Sequence, residues 1–279
     1  MSTPEEKSIP LYATDLDETL RGKANKRLLQ KAYKEGYISL PRLVNVLGFL
    51  FAEKAHLISF EKFVQKVQEK YGFVLKGQER DYAFDLYKKI ANDPELEYDG
   101  AVDFIQNIIS AGVHVAITTG SDTEFARIFF DEHDCDTANM TILGSEYERH
   151  EETGLYTGKM SASHVTYEER RQALEGKIQK RFQGKPIKII GWGGNRYADR
   201  SGFQLADQSG LRIVSQDDKK LFQHLLDQGF NIHTSMDTFL EDDPSKRVYH
   251  VGIDNIGNGV SYAPFTPEVI QKILGDQLP

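Results

Sequence analysis

The chain carries a single cysteine, Cys135, and a single tryptophan, Trp192, in 279 residues. One cysteine excludes an internal disulfide framework and fits a reducing compartment. Long apolar runs are missing too: the most apolar stretch, residues 43–52, is about half as long as a bilayer-spanning helix requires. The polar N-terminus, with Glu5 and Glu6, holds no apolar segment of the kind a signal peptide uses. Positive charge is scarce. Lys and Arg number 34 against 42 Asp and Glu, and the net charge of −8 leaves no surplus to neutralise nucleic-acid phosphates. The eight histidines show no metal-ligand spacing, so His133, beside Asp134 and Asp136, reads as a polar helix end. These absences lead us to expect a cytoplasmic protein that binds neither nucleic acid nor membrane. A secreted effector without a cleavable signal is the alternative. Nothing in the composition sets the oligomeric state.

A chain of this length holds one large core, or a core with an inserted module. Residues 9–13 read as a buried strand. From Arg21 to about Asn92 the pattern is helical. Pro41 suits a first helical turn, and Ser59 stands as N-cap before Phe60, Phe63, Val64, Val67 and Tyr71 on one face. From Asp99 strands alternate with helices. A helix over 100–111, capped by Asp99, precedes a strand over 113–118, and Ser121 with Glu124 forms a capping box for the next helix. A short strand at 141–143 leads to a hairpin or loop at 154–159. A helix follows from the Thr166/Glu169 box to about Phe182, then strands at 187–192 and 211–214. Such alternation implies right-handed crossovers and a mainly parallel sheet. Beyond Ser215 we expect a helix over 219–228, strands at 248–253 and 260–262, turns around Asp254, Asn255 and residues 257–259, and a last helix over 267–274. This tail either extends the sheet or covers the site.

Chemistry concentrates at three strand ends. Asp15-Leu16-Asp17-Glu18-Thr19 follows the first strand, and side chains two apart on an extended segment face the same way. Two close carboxylates resist ionising together, so one can act as nucleophile while the other carries a proton. Thr118, Thr119 and Gly120 end a second strand just before a helix N-terminus, where hydroxyls and free N–H groups cradle phosphate. A third end is followed by Gly194-Asn195-Arg196-Tyr197-Ala198-Asp199, after Trp192-Gly193-Gly194 has given the backbone room to turn. Taken singly, each has a plain alternative: a solvated acidic turn with Thr19 as cap, a capped helix without ligand, a tight loop. Taken in order, they fit a ligand crevice at the carboxyl ends of an open α/β sheet.

The first pentapeptide resembles motif one, D-x-D-x-T, of the haloacid dehalogenase superfamily. The Thr118/Thr119 strand end is similar to its motif two, and residues 194–199 to its motif four, G-D-x-x-x-D, with Ala206 seven residues beyond Asp199. Residues 143–148 and 153–159 look like a passage of the phosphoserine-phosphatase-like branch, and the likeness spans residues 9–215. It implies a doubly wound, mainly parallel Rossmann-like α/β core, residues 1–20 and 95–279, with an α-helical cap at 21–94 and an unassigned extension at 216–279. It implies Asp15 as nucleophile forming an aspartyl phosphate, Asp17 as acid and base, and Thr119 as the motif-two hydroxyl. Arg170 is the first choice for the motif-three cation, with Arg171 and Lys177 behind it. Thr19, Thr118 and Gly120 would touch phosphate, and Asp15, Asp17, Asn195 and Asp199 would hold Mg2+.

Two departures stand out. Asn195 replaces an acid, and Glu18 replaces a frequent glycine. The expected function is magnesium-dependent hydrolysis of a small phosphorylated metabolite. The alternatives are a weakened or inactive descendant that binds phosphate or a partner, and a phosphotransferase passing the aspartyl phosphate to an alcohol. Halide displacement ranks low, because dehalogenating relatives do not need the second acid at Asp17.

Overall fold

The computed structural model describes residues 8–22, 24–36, 39–41, 43–44, 48, 62, 65–66, 68–69, 72, 75–162, 167–206, 210–215, 218–252 and 260–275. Strand β1, Ile9–Asp15, is buried from its second residue onward. It pairs in parallel with β2, His114–Asp122, on one side and with β5, Ile187–Gly194, on the other. With β3 (Met140–Arg149), β4 (Tyr156–Ala162), β6 (Leu211–Val214), β7 (Asn231–His233) and β8 (Arg247–His250), the sheet runs β4-β3-β2-β1-β5-β6-β8-β7. Only the β3–β4 hairpin is antiparallel among these pairings. The chain builds outward from β1 through β2 and β3, then crosses to β5 on the opposite flank. The order therefore reverses at β1, and a crevice opens at such a reversal beyond the carboxyl ends.

Both faces of β1 are covered, as parallel sheets demand. Tyr12 points into a core with Phe104, Ile117 and Phe125, while Leu11 and Ala13 meet Trp192 and Phe203 on the other face. Helices α1 (Ala24–Lys34) and α2 (Arg80–Ala91) lie between β1 and β2 in the chain, and α2 buries Ala83, Leu86, Tyr87 and Ile90. Helix α3, Ala101–Ser110, buries Val102, Ile105 and Ile108 on one face. Its N-cap is Gly100 at φ 67°, not Asp99, and glycine suits the position because a Cβ there would sit 2.9 Å from the Ala263 backbone nitrogen. Asp99 instead accepts the Ser261 hydroxyl at 2.6 Å.

Helix α4, Thr123–Asp131, also starts later than the Ser121 box suggests. Asp122 is the cap, accepting from the Glu124 N–H, and Ser121 stays within β2. Helices α5 (Tyr167–Arg181), α6 (Arg200–Leu205) and α7 (Lys219–Asp227) follow in order. The tail extends the sheet through β8 and β7, with helix α8, Met236–Glu241, between them in sequence. The expected strand at 260–262 reduces to one bridge, Asp99 to Ser261. Helix α9, Pro267–Leu274, is capped by Thr266. The expected Ser59 and Thr166 caps, the face of Phe60, Phe63, Val64, Val67 and Tyr71, and the turns around Asp254, Asn255 and residues 257–259 lie outside the described residues. Among the described residues no helix is long and apolar enough to cross a membrane.

Candidate active site

Because β2, β1 and β5 are adjacent, their carboxyl ends deliver Thr118–Ser121, Asp15–Thr19 and Asn195–Asp199 to one place. Asp15 closes β1 and is 8% exposed. The Thr19 hydroxyl and the Asn195 amide each lie 3.5 Å from its Oδ2. The Asn195 Nδ2 also donates to the Asp17 carbonyl at 2.5 Å. One side-chain amide thus bridges the first carboxylate and the backbone beneath the second, from 180 residues away in sequence.

Asp17 faces a different set of groups. Its Oδ1 accepts from Nε and Nη2 of Arg21, both at 3.2 Å. Its Oδ2 accepts the Thr119 hydroxyl at 2.9 Å and the Ser121 hydroxyl at 2.5 Å. Arg21 is buried, its guanidinium 4.2 Å over the Phe125 ring and 5.1 Å over Phe129, an attractive placement for a cation. Thr118 turns away, its hydroxyl reaching the Thr14 carbonyl at 3.5 Å. The Gly120 carbonyl accepts from Gln68 Nε2 at 3.1 Å. Gln68 also donates to Ser145 at 2.7 Å, so the segment inserted after β1 is tied to the ends of β2 and β3.

The turn after β5 is shaped by glycine. A Cβ on Gly194 would lie 2.7 Å from the Asp199 Cβ, and one on Gly193 would lie 2.4 Å from the Thr14 hydroxyl. That closeness lets the Asp199 Oδ2 accept the backbone N–H groups of Asn195 at 3.0 Å and Arg196 at 3.1 Å. Arg196 pairs with Glu18 at 2.5 Å, and Ser215 donates to the Glu18 carbonyl at 2.7 Å. Glu18 sits at φ 61°, the left-handed region that explains glycine's use there, and these two contacts hold it. The tail supplies the Tyr262 hydroxyl, which donates to the Thr19 carbonyl at 2.6 Å. Burial raises this phenol's pKa well above the ordinary tyrosine value, with the Asp15 charge among the smaller causes.

Among the described residues no three His, Cys, Asp or Glu side chains cluster closely enough to hold a metal ion. The candidate donor set is of another kind: the Asp15 carboxylate, the Asp17 carbonyl and the Asn195 amide. A half-turn of that amide exchanges its nitrogen for its oxygen and leaves three oxygens converging. Oxygen donors of mixed charge are what Mg2+ takes, so the residues fit it.

A family model described as haloacid dehalogenase-like hydrolase matches residues 13–203. The chain belongs to that family. Three solved structures share its fold. A phospho-aspartyl intermediate analogue of phosphoserine phosphatase is 19% identical, covering 78% of this chain and 91% of that one at a TM-score of 0.52. A substrate-bound phosphoserine phosphatase is 18% identical, over 79% and 91%, also at 0.52. A protein of unknown function from Bordetella pertussis Tohama I is 13% identical, over 80% and 96%, at 0.62. No curated protein matches the chain by sequence.

In this haloacid dehalogenase-like hydrolase, Asp15, Asp17, Thr19, Thr119, Asn195 and Asp199 are thus linked in one hydrogen-bonded cluster at the strand ends. Lys177 instead pairs with Glu146 on β3 at 3.1 Å. The Arg170 and Arg171 side chains lie outside the described residues. Sequence reasoning missed Arg21, Ser121, Gln68, the Glu18–Arg196 pair and Tyr262. Ser121 carried a usable signal, being a hydroxyl two residues beyond Thr119 on an extended segment.

Proposed function

We propose that this chain is a magnesium-dependent phosphomonoester hydrolase that passes a phosphoryl group through Asp15, with residues 21–94 serving as its cap. The observation that carries this reading is the convergence of Asp15, the Asp17 carbonyl and Asn195 beside a second carboxylate. Two similar structures point the same way: one is described as a phospho-aspartyl intermediate analogue and the other as substrate-bound.

An Asp15 oxygen attacks phosphorus as the bond to the leaving oxygen breaks, giving an aspartyl phosphate and splitting one hard step into two. Water then attacks phosphorus, the bond to Asp15 breaks, and Asp17 takes the water's proton. Mg2+, held by Asp15, the Asp17 carbonyl and Asn195 with Asp199 behind them, would neutralise charge on the phosphoryl oxygens. Thr19 and Thr119 orient the carboxylates, and Gln68 joins the cap segment to the crevice to exclude water. Arg170 is the proposed further cation. The substrate is a small phosphorylated molecule in the cytoplasm.

A second reading, a binding protein without turnover, draws on Asn195 and on the engagement of Asp199 with backbone amides. Hydrolysis of 4-nitrophenyl phosphate with and without Mg2+, by the parent chain and Asp15→Asn, separates them. Magnesium-dependent turnover lost in Asp15→Asn is expected. Turnover surviving that change removes the covalent route, and phosphate binding without turnover selects the second reading.

A further inference from the structure

Helix α5 covers the sheet thinly. Strand β5 lies inside the sheet, between β1 and β6, where a parallel strand is ordinarily buried on both faces. Yet Ile187 and Ile189 are only half-buried. Among the described side chains of α5 only Leu174 and Ile178 are buried. Between helix and sheet lies a cavity of about 530 Å³, floored by Leu11, Ala13, Ile187, Ile189 and Trp192. Small-molecule sites occupy about 300–1,000 Å³ and are mostly apolar, with a few polar groups that fix orientation. The cavity follows β5 from Ile187 to Trp192, five strand steps or about 17 Å, so it is a slot, not a bowl.

Its two ends differ. The inner end, at Ala13, Thr118 and Asp199, is buried, and its polar atoms are engaged. The Thr118 hydroxyl reaches the Thr14 carbonyl, and the Asp199 Oδ2 accepts two backbone N–H groups. The outer end, at residues 184–186, is exposed, and Lys185 lines it. The Gly184 N–H bonds to the Gln179 carbonyl, which fixes this end of α5 at the mouth. Glu175, the acid on the same wall, stands one helical turn, about 5.4 Å, farther in. A charged head group would lose its hydration at the inner end but keep it beside Lys185. We infer that this slot binds a free medium-chain fatty acid, taken tail first, with its carboxylate at Lys185. The site uses none of the hydrolase chemistry and stands or falls by binding alone.

Trp192, the only tryptophan in the chain, lies at the inner end and reports on the tail. Titration calorimetry with octanoate, decanoate and dodecanoate below their micelle concentrations should give one site per chain. Affinity should rise roughly tenfold for each two methylenes added. Decanoate brominated at its terminal carbon should quench Trp192 fluorescence, and decanoate brominated beside the carboxylate should not. Lys185→Glu, at an exposed position, should weaken decanoate by about fivefold and strengthen decylammonium to a similar degree. Leu205→Glu, on a half-exposed wall residue, should weaken both ligands. Binding without chain-length dependence, quenching by the wrong bromide, or affinities unmoved in both variants would overturn the inference. So would uptake of many molecules per chain without saturation. A dimer by sedimentation that Leu205→Glu dissociates, with no fatty acid bound, would assign the slot to a second copy instead.

Discussion

Asp122 offers a measurement independent of any substrate. It caps α4 through Oδ1, which accepts the Glu124 N–H at 2.8 Å, while its Oδ2 accepts the Tyr87 hydroxyl at 2.8 Å. The residue is 5% exposed, and burial pushes its pKa from 3.8 up to about 7 against the pull of those hydrogen bonds. The rise from 3.8 to about 7, at about 1.4 kcal/mol for each tenfold change, amounts to roughly 4 kcal/mol. The sign follows from where the protons are. Between those two values the unfolded carboxyl has ionised while the folded one keeps its proton, so ionisation favours unfolding. The stabilisation is complete below about pH 4 and is lost as pH rises to about 7. Asp122→Asn keeps an acceptor for the helix cap but cannot ionise. Urea unfolding of parent and variant across this range should show the variant gaining on the parent by about 1.4 kcal/mol per pH unit between pH 4 and 7, then no further. Burial also lowers the His114 pKa to about 4, but this acts in both proteins and cancels in the difference. A flat difference curve would mean that Asp122 reaches water or shares its charge, and the reasoning would fail.

Two further outcomes are expected. Asn195→Asp replaces the amide between Asp15 and the Asp17 carbonyl with a carboxylate that only a cation can reconcile with its neighbours. Magnesium affinity by titration calorimetry should tighten about tenfold to a hundredfold, and no change would show that position 195 does not face the cation. Gly193→Ala puts a methyl 2.4 Å from the Thr14 hydroxyl and 2.6 Å from that of Tyr12, beside the strand that carries Asp15. Urea unfolding should show a loss of about 1–3 kcal/mol, and a neutral result would contradict the close approach of β1 and β5.

The strands were legible where apolar residues dominate a short run, as in β1, β5 and β6, because buried parallel strands need apolar side chains on both faces. Elements as short as β7, with three residues, and α8, with six, offer no full period to read. Adjacent capping residues misled the start of α4: the spacing of Ser121 and Glu124 is that of a box, but Asp122 reaches the Glu124 N–H and leaves Ser121 to Asp17. Asp15 and Asp17 were visible because they share a short motif. Arg21 was not, since four residues after Asp17 it looks like the opening of a helix. Only folding brings Phe125 and Phe129 over it. The position of Asp199 was readable from its spacing, but its capture of two backbone N–H groups depends on a turn that sequence does not specify.

The Tyr262–Thr19 hydrogen bond joins residues 243 positions apart, and the same late segment meets Asp99. The loop that follows β1 is therefore completed by a contact that local sequence cannot make and that forms only when a segment more than two hundred residues later docks on it. Loosening the Tyr262 segment would thus be felt at Thr19, and through its hydroxyl at Asp15, without any change in the residues between them.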